Sequence, residues 1–463
     1  MIFTLLTLSF RSTVPLVAVA DTSHALNLKY SADIPHDQPL WRLDLPLDSY
    51  GLVQIAADHE GNFYLWGDGL LARIDTDGNV LWQENEPVNE LAIGPQDEIY
   101  YSRGDHASLM KRDKEGNSVW EKKIVGFEFW DPVVDADDNV YLYLNKPQFG
   151  PSFIANYSSD GDELWRVNYP GVYADYSDRT LSCTTDGFLY VTGKDNLVFT
   201  AQYGPDGAYK WTVTVSTAEI INSVGKLIIA SGGGVFWALA TGNTDYDIVA
   251  SKIDSAGNNQ WSYQDYWGEL PWGSSMVDQI RLDSSDDLFI LGSKTCVDHD
   301  SDNCRKLILL KLNPVGHQLW KVDSFDGIFM KGSSMALDGQ GNAVVAGRKC
   351  LNFDDGAWYD QCLDSRYSVI KIDSAGAIQW TVDYDVTNSE NEGATSVVLD
   401  NEDNIYVAGA YDSISDDDTT PDDDATPDDD ATSDDDAIPD DDVTPDDDSS
   451  PASSGGDNSG CGC

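Results

Sequence analysis

Aromatic residues that could stack on a ligand are concentrated in a few segments of this chain of 463 residues. Such rings suit sugars or peptides, because a flat apolar face can stack while nearby Asp and Glu bind the polar rim. We take Trp130, Tyr266, Trp267, Trp272 and Trp358 as candidate ligand-binding residues, with Phe127, Phe129, Tyr263 and Tyr359 beside them. The alternative is burial between structural units, which is the commoner environment of large aromatic side chains.

Three acidic residues alternate along a short stretch and could hold a cation. Asp298, Asp300 and Asp302 are separated by single residues, a spacing that directs several carboxylates to one point, as calcium loops require. The bidentate Glu that completes such a loop is missing, because Leu309 stands at its expected distance. Calcium binding is therefore one hypothesis, and a solvated acidic loop is the one that the sequence favours. No other cofactor is expected.

The sequence contains no arrangement typical of hydrolytic catalysis. Its six histidines are scattered, and none is spaced with Ser and Asp as in a catalytic triad, or with other ligands as in a metal site. Hydrolytic chemistry of these kinds is not predicted.

The cysteines predict structural crosslinks. Cys296 and Cys304 bracket one short insertion, and Cys350 and Cys362 bracket another, so each pair can staple its own loop in an oxidising compartment. Neither pair has the C-x-x-C spacing of zinc or redox sites. Cys183 is expected to occupy a turn position that Asp holds in the other repeats, and not to act as a nucleophile.

A repeated hairpin, clearest at residues 368–380, forms the framework that must position these candidates. An alternating apolar strand runs into a turn that Asp caps and a left-handed Gly closes, and the returning strand buries a Trp. The glycine stands four residues before the tryptophan in seven copies: Gly78 with Trp82, Gly116 with Trp120, Gly161 with Trp165, Gly207 with Trp211, Gly257 with Trp261, Gly316 with Trp320 and Gly376 with Trp380.

A second hairpin lies between the tryptophan hairpins. Each copy is an apolar strand, a tight polar turn and a short strand rich in Val, Ile and Tyr. Its clearest copies are residues 58–67, 135–144, 283–292, 338–347 and 400–409, and weaker copies are predicted to start at Gly94, Cys183 and Asn222. The count of this hairpin is therefore eight.

Two hairpins per repeat make units of four strands, and such units at this period are blades of a β-propeller. The chain begins with half a unit at residues 26–41 and ends with the complementary half at 397–411. We therefore predict an all-β fold, a β-propeller over residues 25–412 with eight four-stranded blades, the last of them closed by the N-terminal strands. Seven blades are the alternative if the N-terminal half does not pair.

The repeat resembles a known family. Residues 74–82, Ile-Asp-Thr-Asp-Gly-Asn-Val-Leu-Trp, resemble the tryptophan-docking (PQQ-like) repeat of quinoprotein-type propellers, and residues 26–413 resemble secreted bacterial β-propeller repeat proteins. The resemblance implies the fold and says little about activity. Quinoprotein dehydrogenases also carry an adjacent Cys-Cys pair and a calcium held by axial acids. The chain has no Cys-Cys, so a quinone cofactor (PQQ) is not expected.

The predicted strand order divides the ring into two faces. The tight hairpin turns fall on one face, which we call the turn face. The insertions fall on the other, the insertion face: residues 231–247, 294–305 and 349–366 as loops within blades, and 263–276 and 325–334 as crossings between blades. Binding sites usually lie in variable loops on a rigid scaffold, which favours the insertion face.

Both ends of the chain differ in composition from the repeats. Residues 1–20 are predicted to be an atypical export signal, because apolar runs lead to Ala18-Val19-Ala20 although Arg11 interrupts them. Residues 413–463 are predicted to be a disordered tail, since Asp triplets repel and Pro prevents pairing. This Asp-rich segment, which ends in Cys-Gly-Cys, resembles the stalks of surface-sorted bacterial proteins. We expect an extracellular or cell-surface protein without a membrane-spanning segment.

The net charge of −52 excludes nucleic acid and anionic membranes as partners and favours solubility or basic partners. The first functional hypothesis is a non-catalytic, monomeric binding scaffold that presents its insertion face to a protein or carbohydrate. The alternatives are a polysaccharide lyase or glycoside hydrolase with acids at the mouth of the axial channel, and a structural repeat protein without a ligand.

Overall fold

The computed structural model describes residues 23–31, 39–47, 52–67, 69–103, 107–146, 151–169, 180–195, 197–215, 225–240, 247–266, 275–295, 305–323, 328–329, 334–354, 361–386 and 392–412. This part of the chain forms β-strands joined by turns, and it contains no helix long and apolar enough to cross a membrane.

Eight four-stranded antiparallel units follow one another as the predicted blades. Blade 1 comprises β3 (Gln54–Ala57), β4 (Phe63–Gly67), β5 (Leu70–Ile74) and β6 (Val80–Glu84). Blade 2 comprises β7 (Val88–Ile93), β8 (Ile99–Arg103), β9 (Ser108–Arg112) and β10 (Ser118–Lys123). Blade 3 comprises β11 (Glu128–Val134), β12 (Val140–Asn145), β13 (Phe153–Tyr157) and β14 (Glu163–Asn168). Blade 4 comprises β15 (Thr180–Cys183), β16 (Leu189–Asp195), β17 (Leu197–Tyr203) and β18 (Tyr209–Val215).

The second half of the ring continues the pattern. Blade 5 comprises β19 (Lys226–Ile229), β20 (Val235–Ala240), β21 (Asp247–Ile253) and β22 (Asn259–Tyr266). Blade 6 comprises β23 (Ser275–Leu282), β24 (Leu288–Thr295), β25 (Arg305–Leu312) and β26 (Gln318–Val322). Blade 7 comprises β28 (Ser334–Leu337), β29 (Ala343–Asp354), β30 (Gln361–Ile372) and β31 (Ile378–Tyr384), and the short β27 (Ile328–Phe329) pairs with both β25 and β29.

The ring closes through a composite eighth blade, as predicted. The C-terminal strands β32 (Glu392–Leu399) and β33 (Ile405–Asp412) form its inner half. The N-terminal strands β1 (Ser23–Tyr30) and β2 (Trp41–Pro46) form its outer half. Strand β1 pairs antiparallel with β33 over its whole length, with His24 opposite Tyr411. This pairing closes the ring and covers edges that would otherwise stay open.

Each of seven repeat tryptophans docks on the next blade: Trp41, Trp82, Trp120, Trp165, Trp211, Trp261 and Trp320. Its Nε1 donates a hydrogen bond of 2.8–3.2 Å to a backbone carbonyl that lies two residues before the repeat glycine of the following blade. The indole also lies against that glycine, where an added Cβ would meet ring atoms at 2.6–3.3 Å. The seven glycines have φ between 76° and 90°. Glycine is thus needed at this position for two reasons: it adopts the positive φ of the turn, and it leaves room for the neighbouring indole.

The hairpin turns between the first and second strands of the blades use a left-handed residue. Gly61, Gly187, Gly233 and Gly341 hold this position in four turns, and Asp97, Asp138, Asp286 and Asp403 hold it in the other four. Several of these aspartates bind the preceding blade: Asp286 accepts hydrogen bonds from the backbone nitrogen and the hydroxyl of Ser231 at 3.1 and 2.6 Å. The turn face is therefore stapled from blade to blade.

Eight apolar clusters fill the spaces between successive blades, and they form the core of the fold. Phe129 is fully buried in the cluster between blades 2 and 3, and Phe127 packs against it. For these two rings the interpretation as packing between blades is confirmed.

The structure corrects three local predictions. The weak fifth copy of the inner hairpin does not start at Asn222, because its turn runs from Ala230 to Gly234. Residues 231–240 are therefore not a loop on the insertion face, because they contain the rest of that turn and the strand β20. Residues 241–246 of the predicted loop lie outside the described part of the chain. In blade 4 the first turn position belongs to Thr184, and Cys183 is the last residue of β15. Residues 349–354 and 361–366 extend β29 and β30 and are not an irregular loop, whereas residues 355–360 lie outside the described part of the chain.

Candidate functional site

The first strands of the blades surround an axial cavity of about 600 Å³. Residues from blades 1, 2, 5, 6, 7 and 8 line it, among them Gln54, Lys226, Asp278, Arg281 and Thr395. A second cavity of about 260 Å³ has walls from blades 1 to 4 and shares Gln54, Trp66 and Leu91 with the first. Every blade therefore contributes to the space around the axis.

Four of the eight inner strands carry a β-bulge, and each bulge coincides with cavity-lining residues. The register shifts between Val88 and Leu91, between Trp130 and Val133, between Val277 and Gln279, and between Ala394 and Ser396. The residues at the shifts that line the cavities are Glu90, Pro132, Asp278 and Thr395. A bulge re-aims side chains and is over-represented next to functional sites. Here three of the four bulges bring polar side chains, those of Glu90, Asp278 and Thr395, to the cavities.

Hydrogen bonds between blades hold the cavity wall. The Gln279 side-chain oxygen accepts a hydrogen bond from the backbone nitrogen of Met335 at 2.5 Å, which joins blades 6 and 7. The Ser334 hydroxyl accepts one from the backbone nitrogen of Val397 at 3.3 Å, which joins blades 7 and 8. The wall is therefore a rigid support for the groups that face the cavity.

The cavity carries side chains of both charges. Asp278 and Lys226 line the larger space together with Arg281, and Glu90 lines the smaller one. Arg281 donates from Nη1 to the carbonyl oxygen of Ile280 at 3.1 Å. Burial lowers the pKa of its guanidinium below the ordinary value. Such a lining can bind hydroxyl, amide and anionic groups.

Two carboxyl groups with a raised pKa lie outside the cavity lining. Burial raises the pKa of Glu392 to about 8, and both of its carboxyl oxygens accept hydrogen bonds from the backbone nitrogen of Val386 at 2.9 and 3.0 Å. Burial and the neighbouring Asp138 of blade 3 raise the pKa of Glu98, in the turn between β7 and β8 of blade 2, to about 7. Both groups are bound within the framework.

Most of the candidate residues from the sequence lie outside the described part of the chain. These are Trp267, Trp272 and Trp358, the acidic triplet Asp298, Asp300 and Asp302, and the cysteines Cys296 and Cys304. The backbones of Trp130 and Tyr266 lie in β11 and β22. In the described ranges no group of three or more potential metal ligands occurs.

The described cysteines have structural environments. Cys350 and Cys362 form the predicted disulfide, which crosses the extended hairpin of β29 and β30. Cys183 is a free thiol, and burial raises its pKa to about 12. A thiol that stays protonated is a poor nucleophile, which agrees with the prediction for Cys183.

The charged cavity residues were not among the candidates from the sequence. The signal was weak: Asp278 and Arg281 are the charged residues of an inner strand that mixes polar and apolar residues. Strict alternation would place Asp278 and Arg281, which are three positions apart, on opposite faces of the strand. The bulge at Asp278 shifts the register between them, so alternation no longer predicts their faces. Only the register shift shows that both reach the cavity.

Comparison with known proteins supports the fold. No family model and no curated protein match the chain. Among solved structures, the Dos1 propeller has a TM-score of 0.53 at 12% identity, covering 79% of this chain and 92% of that one. The likeness is one of fold. Weaker likenesses are virginiamycin B lyase from Staphylococcus aureus (TM-score 0.37, 10% identity, 84% and 99% covered) and a protein of unknown function from Bacteroides caccae (0.36, 13%, 73% and 94%).

Proposed function

We propose that this chain is an exported, non-catalytic binding protein that holds a carbohydrate at its axial cavity. The observation that carries the proposal is that two β-bulges place the polar residues Asp278 and Thr395 at that cavity, and a third places Glu90 at the adjoining smaller one. A volume of about 600 Å³ is in the range of small-molecule sites. The ring supplies the rigid support that such a site needs.

The chemistry of the lining favours a hydroxyl-rich ligand. Gln54, Asp278 and Thr395 supply amide, carboxylate and hydroxyl groups, and Glu90 adds a second carboxylate in the adjoining space. Sugar hydroxyls both donate and accept hydrogen bonds, so they match such a mixed set of partners. A purely apolar ligand would leave these groups unpaired at a cost in free energy.

The placement of the carboxyl groups with raised pKa favours binding over catalysis. A general acid needs a raised pKa at the reacting atoms. Glu98 and Glu392 have that property, but both are held by framework contacts and neither lines the axial cavity. The lyase or glycoside hydrolase alternative would instead rely on Glu90 and Asp278.

Several expectations from the sequence complete the proposal. Residues 1–20 direct export, and the Asp-rich residues 413–463 space the ring from the cell surface. Trp267, Trp272 and Trp358 extend the binding surface on the insertion face, and Asp298, Asp300 and Asp302 remain the candidate calcium ligands. The ring acts as a monomer.

Binding and turnover of a panel of neutral and acidic oligosaccharides test the proposal. Gln54 is exposed and lines both cavities. The larger side chain of Gln54→Trp should therefore occupy the space that the ligand needs and abolish binding. Gln83→Trp on the outer strand β6 is the matched control and should leave binding unchanged. Turnover that is lost in Glu90→Gln and Asp278→Asn while binding persists would establish the enzyme instead. Absence of binding to every sugar, or binding insensitive to Gln54→Trp, would refute the site.

A further inference from the structure

Two cations at the cavity have no carboxylate partner among the described residues, unlike several buried cations of this chain. Several partly or fully buried basic side chains form ion pairs of 2.5–3.0 Å: Arg73 with Asp58, Arg112 with Glu86, Lys111 with Asp138, Lys311 with Asp283, and Lys349 with Asp383. Arg281 and Lys226 form no ion pair with any described residue. The five paired cations thus have a counter-charge within the fold, whereas Arg281 and Lys226 have none among the described residues.

Arg281 has no carboxylate partner among the described residues, and its position limits its access to water. It lies on the inner strand β23, and its one hydrogen bond in the described part goes to the carbonyl of the adjacent Ile280. Arg281 is half-buried, so it loses part of its hydration without a counter-charge from the described residues, which lowers folding stability. An anionic group in the cavity would supply that counter-charge.

Lys226 places a second positive charge on the same side of the ring. It is the first residue of β19, the inner strand of blade 5, and this strand contacts β23 of blade 6. Both side chains line the same cavity. Adjacent inner strands thus present one guanidinium and one ammonium to a shared space.

We propose that Arg281, assisted by Lys226, binds the carboxylate of an acidic saccharide in the axial cavity. The inference rests on the proposed function and names the ligand class of that site. The planar guanidinium can donate two parallel hydrogen bonds to a carboxylate, and the ammonium adds a charge without fixed geometry. Asp278 and Glu90 accept hydrogen bonds from hydroxyl groups of the same ligand. Uronic acids combine both features in one ring.

Calorimetry tests the inference with trisaccharides of galacturonate, glucuronate and mannuronate and with the carboxyl-reduced form of each. The parent protein should bind at least one acid about 10- to 100-fold more tightly than its reduced form, which is the range of a charge-assisted hydrogen bond. Arg281→Gln should remove that difference, and Lys226→Gln should reduce it. Lys123→Gln, which removes a positive charge from the exposed outer strand β10, should change nothing.

A second measurement separates ligand binding from folding. Arg281→Gln should melt at the same temperature as the parent or higher, because it removes a cation without a carboxylate partner. Tight binding of reduced sugars that Arg281→Gln does not affect would overturn the inference and leave the proposed function standing. Failure of acidic and reduced sugars alike would overturn both. A loss of folding in Arg281→Gln would show a structural role and contradict the inference.

Discussion

The indole of Trp320 lies in the space that a Cβ atom on Gly376 would need, with the nearest ring atom 2.8 Å from that position. The same indole donates through Nε1 to the carbonyl of Ser374 at 2.9 Å. Blade 6 is thus attached to blade 7 by a contact that only glycine permits. Its recurrence around the ring explains why one spacing of Gly and Trp repeats along the chain.

Gly376→Ala should therefore destabilise the protein for two reasons. Its φ of 90° is unfavourable for a residue with a Cβ, and the new methyl group would displace the indole. Gly61 has a φ of 88° and no atom near its Cβ position, so Gly61→Ala isolates the backbone cost. We expect about 1–2 kcal/mol for Gly61→Ala and roughly 1–3 kcal/mol more for Gly376→Ala in urea unfolding. Equal losses of stability in the two variants would show that the docked indole moves aside for the new methyl group without a measurable cost.

Arg73→Met should unfold the chain at much lower urea concentration. Arg73 binds the buried Asp58 at 2.8 Å through Nε and donates to the carbonyl of Lys114 in the next blade at 3.0 Å. Its loss leaves a buried carboxylate without its cation, which costs about 3–5 kcal/mol. Arg166→Met removes a more exposed pair with Glu163 and should cost under about 2 kcal/mol. If both variants lose the same stability, burial of the Arg73 pair is unimportant.

Glu392 should make stability fall as pH rises. The unfolded carboxyl ionises near pH 4.5, whereas burial, with Asp385 and Asp364 nearby and Arg366 opposing them, raises the folded pKa to about 8. Unfolding therefore releases a proton between these values, and this contribution to stability is complete below pH 4.5 and lost by about pH 8. Glu392→Gln should melt near the parent at pH 5 and several degrees above it at pH 8.

A matched loss of charge controls the pH experiment. Glu115→Gln removes one carboxylate from an exposed turn, so it reports the effect of net charge alone. A difference between Glu392→Gln and the parent that does not grow from pH 5 to pH 8 would contradict the assignment.

Removing the disulfide should loosen one hairpin and leave the rest of the ring intact. Cys350 and Cys362 are separated by 12 positions, and opening a loop of that size costs up to about 3 kcal/mol. The double variant Cys350→Ser/Cys362→Ser should show faster amide exchange near Lys349 and Ser365, measured by hydrogen–deuterium exchange. Cys183→Ser, at a free thiol, should leave exchange in that hairpin unchanged. Faster exchange throughout the ring would mean that the crosslink supports the whole fold.

Sequence spacing was sufficient to predict the ring, because each turn and its docked Trp depend on residues close together in the chain. The composite blade followed from counting hairpins, and the pairing of His24 with Tyr411 confirms it. The inner turn of blade 5 was misplaced because Ala230 starts it and Gly233 and Gly234 follow, without the Asp that starts five of the other seven inner turns. Glycines fit many backbone conformations and so give a poor positional signal.

The axial site could not be predicted because it depends on contacts between blades. Alternation assigns Asp278 and Arg281 to faces of a strand, but the shift between Val277 and Gln279 depends on how β23 pairs with β24. Pairing of Arg281 or Lys226 with a carboxylate likewise depends on residues that are distant in the sequence. Local spacing carries no information about such partners.

The composite blade also determines when the ring can be completed. Strand β1 is made first, yet its partner β33 is made almost 400 residues later, with Ser23 opposite Asp412. All other blades pair strands that are close in the chain, so they can form while synthesis continues, whereas closure has the highest contact order. A circular permutant that joins residue 412 to residue 23 and begins at 392 would turn this latest contact into a local hairpin. It would keep the same blades and close the ring faster.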